Sequence, residues 1–400
     1  MKKLGMVFRE GSGYRIFFLS VITFGISYGL YKGIIDNYLA EIVSMTSFDK
    51  GVSEFFRELP GLLLVFILAA LYTLSAEKIY KVGSVIMLAG MVMQAVVPAT
   101  RLMVILAIFV YSLGDHIQLG MRNAMSLQYA KERHGGAALG IQNAYHQIGM
   151  LAGYLVIIVI FSFLNGSVSL YKGVFVTSAV MIAIGCLSAF RLNGSSQADE
   201  TKRRFYFRRK YSKYYMLEVF YGARKQIFFT FGPYVLVLFY GANAMVISIL
   251  FAVSSICTFF CAPLVGRIID RFGYKKVMVA DTLILVIVCF FYGFAHHIFP
   301  MEIAFIVCCV NYVLDSIISL ASMASNVYVQ DLADNQDEVR ATISTGLSVN
   351  HLITILIALF GGWIWQALGI ETLFVLSAIL GLCNSAYAAT IKTKKTNSEV

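Results

Sequence analysis

Charge, proline and tryptophan are all scarce in this chain. Of its 400 residues 14% are charged against 59% hydrophobic, with five prolines and two tryptophans. That little charge cannot wet the surface of a soluble domain of this length, which excludes an ordinary globular enzyme. Also missing are a P-loop for nucleotide hydrolysis and an H-E-x-x-H metal motif, so neither an enzyme nor a bound cofactor is expected. The short alternating segments of a membrane β-barrel are missing too. Instead there are repeated apolar runs of about eighteen residues or longer, the length a helix needs to cross a bilayer core of about 30 Å.

The seven cysteines, Cys186, Cys257, Cys261, Cys289, Cys308, Cys309 and Cys383, all fall inside apolar runs, so disulfides between loops are not suggested. Cys257 and Cys261 share a helix face by spacing, as a soft-metal pair or, more commonly, as small buried hydrophobes. Lys2, Lys3, Arg9 and Arg15 precede a first apolar run without a small-residue cleavage site, which reads as a retained helix rather than a removed signal.

Twelve spans are predicted, at 14–43, 51–74, 82–99, 102–130, 137–164 and 168–191, then at 214–240, 243–267, 275–296, 301–331, 338–367 and 370–391. Residues 192–213, LNGSSQADETKRRFYFRRKYSK, are polar and basic and cannot enter hydrocarbon. The expected organisation is therefore a six-helix bundle over 1–191, a cytoplasmic central loop over 192–213 and a second six-helix bundle over 214–400. Lys and Arg concentrate in the loops on the side of both termini, including Lys78, Lys81, Lys131, Arg133, the central loop, Arg267–Lys276 and Arg340. The other side carries Lys50, Arg101 and Lys172. The positive-inside rule then predicts a multi-pass protein of the cell membrane with both termini cytoplasmic. Topology explains the net charge of +10 without a nucleic-acid partner, and the basic central loop suits anionic lipid.

The second half repeats the first. SYGLYKGI at 27–34 aligns with FYGARKQI at 220–227, and at the same offset Glu77-Lys78 falls on Asp270-Arg271. Asp115 meets Asp315 and His146 meets His351 at slightly larger offsets, the difference arising where loops lie. An even number of spans per copy makes this a parallel repeat, about an axis along the membrane normal, with a cavity expected between the copies.

Gly266-Arg267-Ile268-Ile269-Asp270-Arg271-Phe272-Gly273-Tyr274-Lys275-Lys276, after the eighth span, resembles the G-x-x-x-D-R-x-G-x-R/K-R/K signature of the major facilitator superfamily of secondary transporters. The resemblance implies an all-α integral membrane fold of twelve helices in two pseudo-symmetric bundles. It also implies a gate-latch role for Gly266, Asp270, Arg271 and Gly273. In the first half, Leu74-Ser75-Ala76-Glu77-Lys78-Ile79-Tyr80-Lys81 keeps only the acid-base pair. Against the antiporter motifs of the superfamily the match is partial: Arg122 stands in the fourth span, and Gly149-Met150-Leu151-Ala152-Gly153 supplies G-x-x-x-G without its proline.

Ionisable residues within spans cost about 2.5 to 3.5 kcal/mol each on insertion scales and are functional candidates by default. Lys32 and Asp36 lie one turn apart and either neutralise each other or serve substrate and coupling. Glu54, Arg57 and Glu58, ahead of Pro60, form a candidate outer gate, or a solvated helix end. Arg224 and Lys225 have no acid within a helical turn; they either hold an anionic substrate or pair with Asp315 or Asp115. Asp115 with His146, and Asp315 with His351, are expected as one Asp-His pair per half, for a coupling proton or for cross-helix bonding alone. Tyr28, Tyr221, Asn143 and Asn311 complete a candidate substrate lining with Lys32, Arg224 and Lys225.

These readings converge on a monomeric transporter of a small polar or anionic organic solute, coupled to protons and working by alternating access. Two other functions share the same features: export of lipophilic or cationic compounds on Glu58, Asp36 or Asp115, and a non-transporting sensor or lipid-handling protein.

Overall fold

A computed structural model describes residues 6–11, 13–71, 73–132, 134–192 and 207–391. Lys2, Lys3, Arg133, most of the central loop and the C-terminal lysines lie outside them, as does the side chain of Arg340. The described chain is all-α, without a β-strand.

Six long helices make up the first half: α1 (Tyr14–Asn37, continued by a π turn, Tyr38–Ile42), α2 (Ser47–Ala70), α3 (Ala76–Val96), α4 (Arg101–Tyr129), α5 (Gly135–Phe163) and α6 (Val168–Phe190). The second half begins with α7 (Ser212–Leu238), α8 (Ala244–Phe272) and α9 (Tyr274–Ile298). It continues with α10 (Met301–Leu332), which includes a 3-10 turn at Ser319–Ser322. The last helical stretch, Gln336–Ala389, breaks at Gly369, whose φ of 91° is open to glycine alone among ordinary residues, giving α11 (336–368) and α12 (370–389). Among the described residues, nine helical stretches are long and apolar enough to cross a membrane, the ninth running through α11 and α12. The two that fall short, α2 and α7, carry the polar clusters described below.

Helix starts depart from the expected spans where a cap decides them. Thr46 and Asp49 form a reciprocal capping box, so α2 starts at Ser47 and takes in Lys50, which the apolar pattern left in a loop. The Ser75 hydroxyl accepts the Lys78 N–H, so α3 starts six residues ahead of its apolar run.

The chain divides into two compact units, Met1–Thr201 with Gly241–Ser255, and Lys202–Tyr240 with Ile256–Val400. In the first unit, α1 packs against α5 and α6, α3 against α4 and α6, and α2 against α4. The start of α8 belongs to this unit: Asn37 Nδ2 donates to Ala242 O at 2.7 Å and Ser248 Oγ to Gly33 O at 3.2 Å. The second unit repeats the pairing order, with α7 and α9 both packed on the α11–α12 stretch and α9 against α10. Large apolar side chains such as Phe66, Phe163, Leu187, Phe260 and Leu283 are exposed, as lipid contact requires.

Lipid removes the hydrophobic drive for helix association, so close approach has to come from small residues. Gly25 and Gly29 of α1 face Gly149 and Gly153 of α5: a Cβ on Gly29 would meet Met150 O at 2.2 Å, and one on Gly153 would meet Ile26 O at 2.5 Å. The G-x-x-x-G of the fifth span is thus a packing seam against a matching pair on α1.

Candidate functional site

In the first unit, six ionisable side chains form one continuous run of alternating sign. Lys32 Nζ lies 3.2 Å from Asp36 Oδ2, and Lys50 Nζ lies 2.6 Å from the other oxygen, Asp36 Oδ1. Lys50 also reaches Glu54 Oε1 at 2.8 Å; Glu54 then binds Arg57, which binds Glu58. Helical spacing sets the partners, with Lys32–Asp36 and Lys50–Glu54 at i,i+4 and Glu54–Arg57 at i,i+3. Lys50 joins the α1 pair to the α2 cluster. From the sequence the two groups are separate features and Lys50 is a loop cation. The correction follows from the capping box at Thr46, which turns residues 47–50 into the first turn of α2.

Several neutral groups surround this run. Lys32 Nζ stands 5.1 Å from the Phe251 ring centroid, a cation-π contact. Ser112 Oγ of α4 donates to the Arg57 carbonyl, and His116 Nδ1 lies 3.1 Å from the same hydroxyl. Tyr28 and His146 face each other at 6.1 Å between centroids, while Asn143 is exposed. Arg122 is buried, and among the described residues its Nε has no hydrogen-bond partner. Glu77, the surviving acid of the first signature copy, is buried and accepts from Gln128 Nε2 at 3.1 Å.

The second unit has a smaller centre on α7. Arg224 is 1% exposed, and its Nη2 lies 3.2 Å from Asp281 Oδ2 on α9. Among the described residues its Nε and Nη1 have no hydrogen-bond partner. The guanidinium lies 5.1 Å from the Tyr221 ring, and the Tyr221 hydroxyl donates to Ser319 O at 3.0 Å. Asp315 on α10 is buried, its Oδ1 without a hydrogen bond among the described residues, and Asn311 one turn earlier donates to Val307 O at 2.8 Å. Lys225 is exposed, 5.9 Å from the Tyr221 centroid. Glu218, buried one and a half turns before Arg224, accepts from Ser325 Oγ at 3.0 Å and Asn350 Nδ2 at 3.2 Å.

Two expectations need correcting here. The partner of Arg224 is Asp281, rather than Asp315 or Asp115. Among the described residues, no hydrogen bond joins Asp115 to His146. His146 turns toward Tyr28, and Asp315 Oδ1 makes no hydrogen bond among them. Similar depth on neighbouring helices is not enough for pairing, because rotation about each helix axis decides which face a side chain takes. Lys50, Asp281 and Glu218 were missed as site residues. Each had a legible signal: Lys50 sits four residues from Glu54, and the two acids interrupt predicted spans.

At the signature turn, Gly273 has φ 84° and donates its N–H to Ile269 O at 2.8 Å, closing α8 and opening α9. Gly266 is half-buried, while Asp270 and Arg271 are exposed, with Arg271 over the Phe272 ring at 5.4 Å.

Residues 214–399 match the sequence model of the Major Facilitator Superfamily. No curated protein sequence matches the chain. Among solved structures, the nucleoside transporter NupG aligns with a TM-score of 0.74 at 17% identity, covering 96% of this chain and 100% of that one. A D-xylose-proton symporter aligns at 0.73 and 13% identity, covering 94% and 96%. A POT family transporter in complex with 5-aminolevulinic acid aligns at 0.72 and 11% identity, covering 94% of each chain. Identities this low carry the fold alone: this chain has the fold of these transporters, and its second half, which holds the signature turn, matches the Major Facilitator Superfamily model.

Proposed function

We propose that this protein is a proton-coupled secondary active transporter of a small polar organic solute, working by alternating access as a monomer in the cell membrane with both termini cytoplasmic. The observation that carries this reading is the buried run Lys32–Asp36–Lys50–Glu54–Arg57–Glu58. Apolar residues of similar volume commonly replace a buried ion pair at no loss of stability, so fold stability alone does not call for six such groups in one place. A proton on Asp36 or Glu54 weakens its hold on Lys50 and Lys32, which converts protonation into a change in how α1 meets α2. Asp115, His146, Asp315 and His351 are further coupling candidates.

For the solute, Arg224 is the leading contact, because among the described residues its Nε and Nη1 make no hydrogen bond and each can donate to a carboxylate or another polar acceptor. Asp315 Oδ1 offers an acceptor for a solute donor, and Lys32, Lys225, Tyr28, Tyr221, Asn143 and Asn311 are the remaining lining candidates. The similar structures include nucleoside, D-xylose-proton and peptide transporters, which favours a polar solute over a lipophilic one. Gly266, Asp270, Arg271, Gly273 and Arg122 are proposed to act in gating, with Glu54, Arg57 and Glu58.

The test is uptake into proteoliposomes under an imposed inward proton gradient, with nucleosides, pentoses, short peptides and organic anions offered in turn. Gradient-driven uptake of one class, collapsed by a protonophore, is the expected result. If none of these accumulates, the reading is wrong.

A further inference from the structure

α9 ends in two consecutive histidines, His296 and His297, at the opposite end of the helix from Gly273. Both turn an Nε2 atom to the same carboxylate oxygen: His296 lies 3.1 Å and His297 2.8 Å from Glu371 Oε1. The rings are 4.0 Å apart between centroids, and Phe239 packs edge-on against His296 at 4.9 Å. Glu371 is delivered by the break at Gly369, which ends α11 and starts α12. A Cβ on Gly369 would stand 2.6 Å from Glu371 Oε2, so the glycine both turns the chain and leaves room for the carboxylate.

We propose that His296, His297 and Glu371 bind a first-row divalent transition-metal ion of the Zn2+ or Ni2+ type. Two imidazoles and a carboxylate are the donors such ions prefer, whereas Mg2+ and Ca2+ select all-oxygen sets. All three donor atoms lie within 4.8 Å of one another. An ion about 2.0–2.2 Å from nitrogen and oxygen ligands spans donors about 3 Å apart, the separation already present between each Nε2 and Oε1. His297 is 57% exposed, so an ion can enter from water and keep water in its open positions. The bound ion ties the end of α9 to the turn between α11 and α12. None of the residues proposed for solute or proton takes part, so this site stands or fails independently of transport.

The experiment is calorimetric titration of the full chain, purified in detergent without a histidine tag, with Zn2+ alone, Ni2+ alone and Mg2+ as control. Zn2+ and Ni2+ are expected to bind and Mg2+ not to. Outer-ligand losses at metal sites typically weaken binding about 10- to 100-fold, and His297→Ala or Glu371→Gln is expected to weaken Zn2+ binding by at least about tenfold. The other histidines of the chain serve as background common to wild type and variants. Zn2+ should also raise the melting temperature of the wild type and not that of His297→Ala, whose metal-free melting temperature checks that it folds. Zn2+ heats no larger than those of Mg2+, or equal binding by wild type and the His297→Ala/Glu371→Gln double variant, would overturn the proposal. In that case the two imidazoles simply donate hydrogen bonds to the carboxylate.

Discussion

Lys50 Nζ lies 2.6 Å from Asp36 Oδ1, and both side chains are 1% exposed. This one contact fastens α2 to α1 and makes a single electrostatic unit of two groups fourteen residues apart. Removing one member leaves the others charged and buried, which is far more costly than losing the attraction alone.

Lys50→Met is therefore expected to destabilise the protein by about 3–5 kcal/mol, the usual consequence of stripping one partner from a buried pair. Adding Asp36→Asn should recover part of that loss, because the orphaned charge goes with its partner. Melting temperatures of the purified single and double variants check this; strictly additive losses would contradict a coupled run.

Lys210 offers the contrast. It bonds Asp334 at 2.9 Å and Glu338 at 2.7 Å, yet it is a surface group. Its side-chain hydrogen bonds to Glu338 and then Asp334 raise its pKa above the ordinary lysine value. A raised pKa contributes stability that is fully present below the unfolded-state value and lost only as pH climbs through the folded-state value. Lys210→Ala should thus lower the melting temperature less than Lys50→Met does, by an amount that stays level from about pH 6 to 9 on the lysine's account. A difference that shrinks with pH inside that window would argue against it.

On the α1–α5 seam, Gly153→Val should cost about 1–3 kcal/mol through overpacking, since its Cβ has Ile26 O at 2.5 Å and Leu30 N at 2.7 Å. Gly140→Val on the same helix is the control, as nothing lies within 4 Å of its Cβ. Comparable melting temperatures for the two variants would remove the seam from the account.

Arg224→Gln is expected to abolish solute uptake while the chain still inserts, because Asp281 loses its cation and the solute its charged N–H donors. Arg224→Lys should also fall by about tenfold or more, since a single ammonium cannot serve Asp281 and a planar acceptor together. Uptake that survives Arg224→Gln and Lys225→Gln alike places solute recognition elsewhere.

By itself the sequence determined the all-α, strongly apolar character of the chain, the order of its helices and the family resemblance at Gly266–Lys276. Each of these depends on composition or on near-neighbour spacing, and so does the i,i+4 pairing of Lys32 with Asp36. Tertiary structure decided which charges meet. Arg224 selects Asp281 from α9, Lys50 bridges two helices, and His146 turns toward Tyr28 rather than Asp115. The reason is geometric: in lipid a charge must find its partner across a helix interface, and that depends on each helix's rotation about its axis, which glycine seams such as Gly29–Gly153 fix only once the helices have packed.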